Sequence, residues 1–181
     1  MKIVLLDDDK ETYEVLQEVA KLSGSEIIQV TNIKEAKNII DSEEDIDGIV
    51  AEKRVNNMPT WEILSYLKKK DKHIEVPFIL LTSEITPEEK EFFEYMGVTA
   101  ILEKPFNPLE VFMDIVEHLR NVKGEDYVKE RLEGEEDLLK LKEKLQVKGK
   151  GEVPVKKDEK SESILDVLKR FIEFFKKILK I

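Results

Sequence analysis

Four short stretches of this chain carry side chains that could act together on a phosphoryl group. They are Asp7-Asp8-Asp9, Glu52, Thr82-Ser83 and Lys104-Pro105. Carboxylates brought within a few ångström raise one another's pKa unless a positive charge intervenes. Mg²⁺ would serve, because it prefers carboxylate, carbonyl and water oxygens. Lys104 would add a fixed positive charge, and Thr82 a hydroxyl that donates a hydrogen bond. Together they would suit an acyl phosphate held by Mg²⁺. Taken singly, each residue has a plainer reading. An acidic residue after a strand is often a helix cap, and Asp9 is expected to be one. Placement at the ends of several different strands is what would separate a site from a set of caps.

The elements that must provide this placement are legible. Lys2 to Leu6 is a continuous, partly β-branched apolar run, which reads as a strand buried on both faces. Tyr13, Val15, Leu16, Val19, Ala20 and Leu22 then recur at helical spacing, and Ser23-Gly24 stops that helix. Ile27, Ile28 and Val30 form a second strand, and Thr31 or Asn32 caps a helix carrying Ile33, Ala36, Ile39 and Ile40. A third strand covers 48–52, Asn56 to Pro59 is a loop, and Trp61, Ile63, Leu64 and Leu67 mark a third helix. A fourth strand covers 78–82. Thr86-Pro87-Glu88-Glu89 is a helix start with a cap, an N1 proline and a capping-box glutamate, and Gly97 ends that helix. The fifth strand is 100–103, and Asn107-Pro108 opens a fifth helix that runs to about Leu119. Five strand–helix alternations imply an α/β fold, with a parallel sheet covered on both faces. Such folds bind ligands outside the carboxyl ends of the strands. Asp7 and Asp8, Glu52, Thr82 and Lys104 all end strands.

Leu6-Asp7-Asp8-Asp9, Leu81-Thr82-Ser83 and Lys104-Pro105-Phe106, at these intervals, resemble the three signature patches of response-regulator receiver domains, the CheY-like superfamily. The resemblance covers residues 1 to about 121. It implies a doubly wound five-stranded sheet of order 2-1-3-4-5 with helices on both faces. It also implies that Asp7, Asp8, position 52 and the backbone carbonyl of Arg54 hold Mg²⁺, Asp8 directly. Thr82 would contact the phosphoryl group, Lys104 would pair with it, and Lys104-Pro105 would be cis.

Two departures from that family matter. Its phosphoacceptor aspartate is replaced by Glu52. Asp47 cannot deputise: five residues back along a strand, it would lie roughly 16 Å away. The extra methylene moves the carboxylate about 1.5 Å outward, and phosphoryl transfer depends on in-line positioning. Glu52 is therefore expected to reach toward Lys104 or Thr82, as an incomplete imitation of a phosphorylated state. The second departure is Ile101, where the family usually carries the aromatic switch partner of Thr82. Thr60, where glycine is common, is a lesser departure. The expectation is a pseudo-receiver: a non-enzymatic, atypical response regulator of two-component-type signalling that acts through protein contacts without aspartate phosphorylation. Mg²⁺ binding is left open, and no other cofactor is expected. The alternative is a working receiver in a Mg²⁺-dependent phosphorelay with a partner histidine kinase. A Mg²⁺-dependent phosphotransfer enzyme would need a nucleotide-binding element, and no Gly-rich phosphate loop is present.

Composition and the C-terminal third bound the rest. Residues 1–121 carry 14 Lys+Arg and 26 Asp+Glu, which argues against nucleic-acid binding by this domain. There is no cysteine, and no apolar run long enough to span a bilayer, in keeping with a cytoplasmic protein. The 39% of charged residues, mostly Glu and Lys, hints at a thermophile. Residues 122–147 read as a charged helical extension packing lightly on the domain, and 148–162 as a flexible linker. Residues 163–181 read as an amphipathic helix. Leu168, Phe171, Ile172, Phe175 and Ile178 fall in an apolar arc of about 200°. Lys169, Lys176 and Lys177 lie in the remaining, net positive polar arc. Such a helix could dock on an anionic surface at the inner membrane face, in a groove of its own domain or of a partner, or on a second copy.

Overall fold

A computed structural model describes residues 1–132 together with 136, 138–140 and 143. The expected linker 148–162 and amphipathic helix 163–181 lie outside these residues. Five strands form one sheet: β1 (Lys2–Leu6), β2 (Glu26–Val30), β3 (Gly48–Glu52), β4 (Phe78–Thr82) and β5 (Ala100–Glu103). All pairings are parallel, in the order β2-β1-β3-β4-β5. This is the α/β fold expected from the alternation, in the doubly wound order that the resemblance implies. Helices α1 (Lys10–Leu22), α2 (Ile33–Ser42), α3 (Trp61–Leu67), α4 (Pro87–Met96) and α5 (Pro108–Lys123) follow the successive strands. Among the described residues no helix is long and apolar enough to cross a membrane.

The strands are buried on both faces, so alternate residues feed two cores. Ile3, Leu5, Val50, Ile79 and Leu81 face α1 and α5, where they meet Leu16, Val19, Phe112 and Ile115. Val4, Leu6, Ile49, Ala51, Phe78 and Leu80 face α2, α3 and α4, where they meet Ile40, Ile63, Leu67 and Phe93. The sheet rests closely on α5 at the start of β3. A Cβ built on Gly48 would lie 2.8 Å from Cδ1 of Ile115.

The caps follow local chemistry. Asp9 caps α1, its side chain accepting from the Glu11 amide and the Thr12 hydroxyl. Asn32, rather than Thr31, caps α2. Thr86 and Glu89 complete the capping box of α4, and Gly97 ends that helix at φ 84°, a left-handed conformation that glycine adopts without Cβ strain.

Three features differ from expectation. The loop after β3 is a tight ribbon in which Arg54–Val55 pairs antiparallel with Met58–Pro59. Asn56 and Asn57 turn it at φ 50° and 62°, and asparagine is the residue other than glycine that best tolerates such a turn. Helix α5 continues beyond Leu119 to Lys123, across the expected division at 121. The segment after it is not lightly packed. Helix α6 (Glu125–Arg131) sends Val128 into the α1–α5 core, joined there by Leu132 and Leu138.

The polar half of that docking centres on Asp47, which is fully buried at the amino end of β3. It accepts from the Lys2 amide at 2.7 Å, the Tyr127 hydroxyl at 2.7 Å and the Arg131 guanidinium at 2.7–3.2 Å. The bond to Asp47 holds the Arg131 pKa above its ordinary value. Burial, then Asp47, push the Tyr127 hydroxyl up. Removing Asp47 would strand these donors and unpin α6. Asp47→Ala should cost about 2–4 kcal/mol, read as a lowered urea midpoint.

Candidate functional site

The site lies at the carboxyl ends of β1, β3 and β5. The parallel register sets it, because β3 lies between β1 and β4 and so brings its last residue beside the loops that follow them. Leu6 of β1 pairs with Ala51 of β3, and Glu52 is the next residue. Lys104 follows directly on β5, and its amide is bonded to the Thr82 carbonyl at 2.7 Å. The peptide bond from Lys104 to Pro105 is cis.

The Lys104 ammonium joins the strand ends. Its Nζ lies 2.7 Å from Oε2 of Glu52 and 3.0 Å from Oδ2 of Asp7, with Oδ2 of Asp9 at 3.9 Å. Asp7 is buried, while the Glu52 and Lys104 side chains are each 19% exposed. Burial pulls the Lys104 pKa down. The bond to Glu52, with the charge and bond of Asp7, outweighs it, and the net shift is upward. Burial raises the Asp9 carboxyl, but the Thr12 hydroxyl, backbone amides and Lys104 outweigh it, so its pKa is lowered.

The remaining oxygens are also engaged. Oδ1 of Asp7 accepts from the Asp9 amide at 2.9 Å, and Oε1 of Glu52 from the Lys53 amide at 2.9 Å. Asp8 is exposed and takes no part in the ion-pair network. The donors are of the type a hard cation takes. In this arrangement, however, each oxygen of Asp7 and Glu52 already accepts from a nitrogen. Among the described residues no three acidic or imidazole side chains converge as ligands. Asp7, Asp8 and Glu52, as placed, do not converge as a Mg²⁺ site. An ammonium neutralises the inner carboxylates instead.

The switch positions do not converge on Glu52. The Thr82 hydroxyl turns into its own loop and donates to the Glu84 carbonyl at 2.6 Å. Of the two partners expected for Glu52, it therefore takes Lys104. Ile101 pairs with Leu80 in the sheet and packs, partly buried, against the α2–α4 core.

Two residues to which sequence reasoning gave no role tie the site to its surroundings. Thr60 is fully buried, and its hydroxyl donates to the carbonyls of Glu52 at 2.6 Å and Lys53 at 3.2 Å. A glycine there could not do this. The Lys53 ammonium reaches the Glu84 carbonyl at 2.9 Å and Glu89 at 3.1 Å. The Thr86 amide first, then Lys53, lower the Glu89 pKa. Thr60 as a departure from a glycine was the available signal for the first. Nothing in the sequence marks Lys53 among so many lysines.

Comparison with known proteins identifies the family and the fold. The model for the response regulator receiver domain matches residues 3–116. Among curated proteins, the response regulator SaeR of Staphylococcus epidermidis is 25% identical over 111 residues, 61% of this chain and 47% of that protein. SaeR of Staphylococcus aureus is 24% identical over 121 residues, 67% of this chain and 51% of its own. The chain thus spans about half the length of these relatives. Similar solved structures include the chemotaxis response regulator CheY4 of Vibrio cholerae, at TM-score 0.55 and 23% identity over 67% of this chain and 97% of that one. Another is the receiver domain of a sensor histidine kinase from Pseudomonas aeruginosa, with a magnesium ion coordinated in its active-site cleft. It gives TM-score 0.57 and 19% identity over 65% and 96% of the two chains.

The ion-pair arrangement fixes a pH dependence. Lys104 holds its proton more tightly folded than unfolded, so the stability it lends is complete below the unfolded lysine pKa. It is lost as pH rises through the folded value, above about pH 10. Lys104→Met should lose about 2–3 kcal/mol at neutral pH. It should also show a weaker further loss above that pH than the parent protein, as read by urea denaturation across the alkaline range.

Proposed function

Since the chain belongs to the response regulator receiver domain family, we propose that it is an atypical receiver that signals through protein contacts without aspartate phosphorylation. The observation that carries this is the Lys104–Glu52 pair at 2.7 Å, with Asp7 on the same ammonium at 3.0 Å. A carboxylate on Lys104 stands where the family's resemblance places a phosphoryl group. It supplies one negative charge rather than nearly two. The Thr82 hydroxyl is satisfied within its own loop, and Ile101 offers it no aromatic partner. Phosphate-driven rotation of a switch side chain has no counterpart in this set.

On this reading the protein is not an enzyme. It works in a two-component-type pathway, its partners are proteins of that pathway, among them a histidine kinase, and its setting is the cytoplasm. Mg²⁺ would enter only if Lys104 withdrew from the two carboxylates. A working phosphorelay receiver is the competing outcome, and one reaction separates them. After incubation with acetyl phosphate and Mg²⁺, the parent protein should carry no stable phosphoryl mass. Glu52→Asp shortens the side chain to the family's acceptor length and should gain one at position 52. A stable phosphoryl group mapped to Glu52 in the parent would overturn the reading.

A further inference from the structure

Helix α4 presents an unusual outer face. Glu88, Glu91, Phe92 and Tyr95 lie at helical spacing on one side and are all exposed. Phe92 is 44% and Tyr95 88% exposed, while Phe93 on the opposite side is buried. Trp61, the first residue of α3, meets Phe92 edge-on at 6.3 Å, and both Trp61 and Met58 of the neighbouring ribbon are exposed. Large aromatics gathered on a surface mark a contact site more often than chance exposure. This one is also acidic: Glu88, Glu91 and Glu94 are exposed and make no ion pair among the described residues. A second copy presenting the same face would bring carboxylate against carboxylate. The occupant this surface fits is apolar on one side and basic at the margin.

The chain carries such an occupant. At helical spacing, residues 163–181 would gather Leu168, Phe171, Ile172, Phe175 and Ile178 in one arc, with Lys169, Lys176 and Lys177 on the adjoining polar arc. Residues 144–162 separate this segment from the last described position, and extended they reach about 60 Å. A domain of this size is only about 35 Å across. The face is within range wherever the connection starts, and tethering gives an effective concentration on the order of millimolar. We infer that residues 163–181 dock on the Trp61–Phe92–Tyr95 face of their own domain, apolar side against the aromatics and lysines against Glu88, Glu91 and Glu94. The inference is independent of whether Glu52 accepts phosphate.

The face has a local connection to the site. Thr60, which holds the Glu52 carbonyl, immediately precedes α3, and the Glu89 that Lys53 grips lies in the first turn of α4. A docked tail would bear on the two helices anchored to residues 52 and 53.

Trp61 is the only tryptophan in the chain and reports on the docking directly. In the 181-residue chain its fluorescence should be shielded from acrylamide. Phe171→Glu combined with Phe175→Glu should raise quenching about twofold, as a buried aromatic returned to water would. Lys169→Glu with Lys176→Glu and Lys177→Glu should raise it similarly, which tests the charge match separately from the apolar contact. Far-ultraviolet circular dichroism verifies that each variant is folded. Equal quenching in the parent and both variants would overturn the inference. So would shielding that disappears on dilution, which means a second copy, or shielding that appears only with vesicles of anionic lipid, which means a membrane.

Discussion

A single ammonium group resolves the central electrostatic conflict of this fold. The parallel sheet brings the ends of β1 and β3 side by side, and each ends in a carboxylate, one of them fully removed from water. Two such charges at that separation are costly in a medium that screens poorly. Lys104 arrives from β5, 97 residues from Asp7 in sequence, and lies within 3.0 Å of both acids. A removable metal is one solution to the same conflict. A lysine is a permanent one, and it leaves the inner acids already partnered.

The opposite end of the sheet repeats the solution with other residues. Asp47 is as buried as Asp7, and its cation, Arg131, comes from 84 residues away on a helix beyond the last strand–helix unit. Buried charges persist only when paired. Both carboxylates obey that rule through contacts that close late in the chain. The domain therefore includes α6, since without Arg131 and Tyr127 the amino end of β3 would carry an unpaired charge.

The sequence-to-structure correspondence divides along physical lines. Strand bounds and the caps at Asp9 and Thr86 were legible because each depends on a local pattern, while the second helix's cap was narrowed to Thr31 or Asn32. Apolar runs and cap chemistry both act within a few residues. What was not legible depended on long-range geometry. The Thr60 hydroxyl became meaningful only once the ribbon folded it back on the Glu52 carbonyl. Lys53 is one charge in a chain with 39% charged residues, and its grip on Glu89 has no local signature. The direction Glu52 would take was narrowed to two partners, and side-chain packing chose Lys104. The docking of α6 was underestimated because its charges looked solvated, although one of them, Arg131, is bound to a buried acid.

Gly48 has a consequence of an evolutionary kind. Its φ is not in the left-handed region, so the backbone does not demand glycine. The demand comes from Ile115, whose Cγ1 and Cγ2 stand 3.2 and 3.3 Å from where a Cβ would be. The two positions are thus a volume pair. Among homologous chains, a side chain gained at 48 should be matched by one trimmed at 115. Such coupled replacement would trace how α5 kept its depth against the sheet while the surrounding sequence drifted.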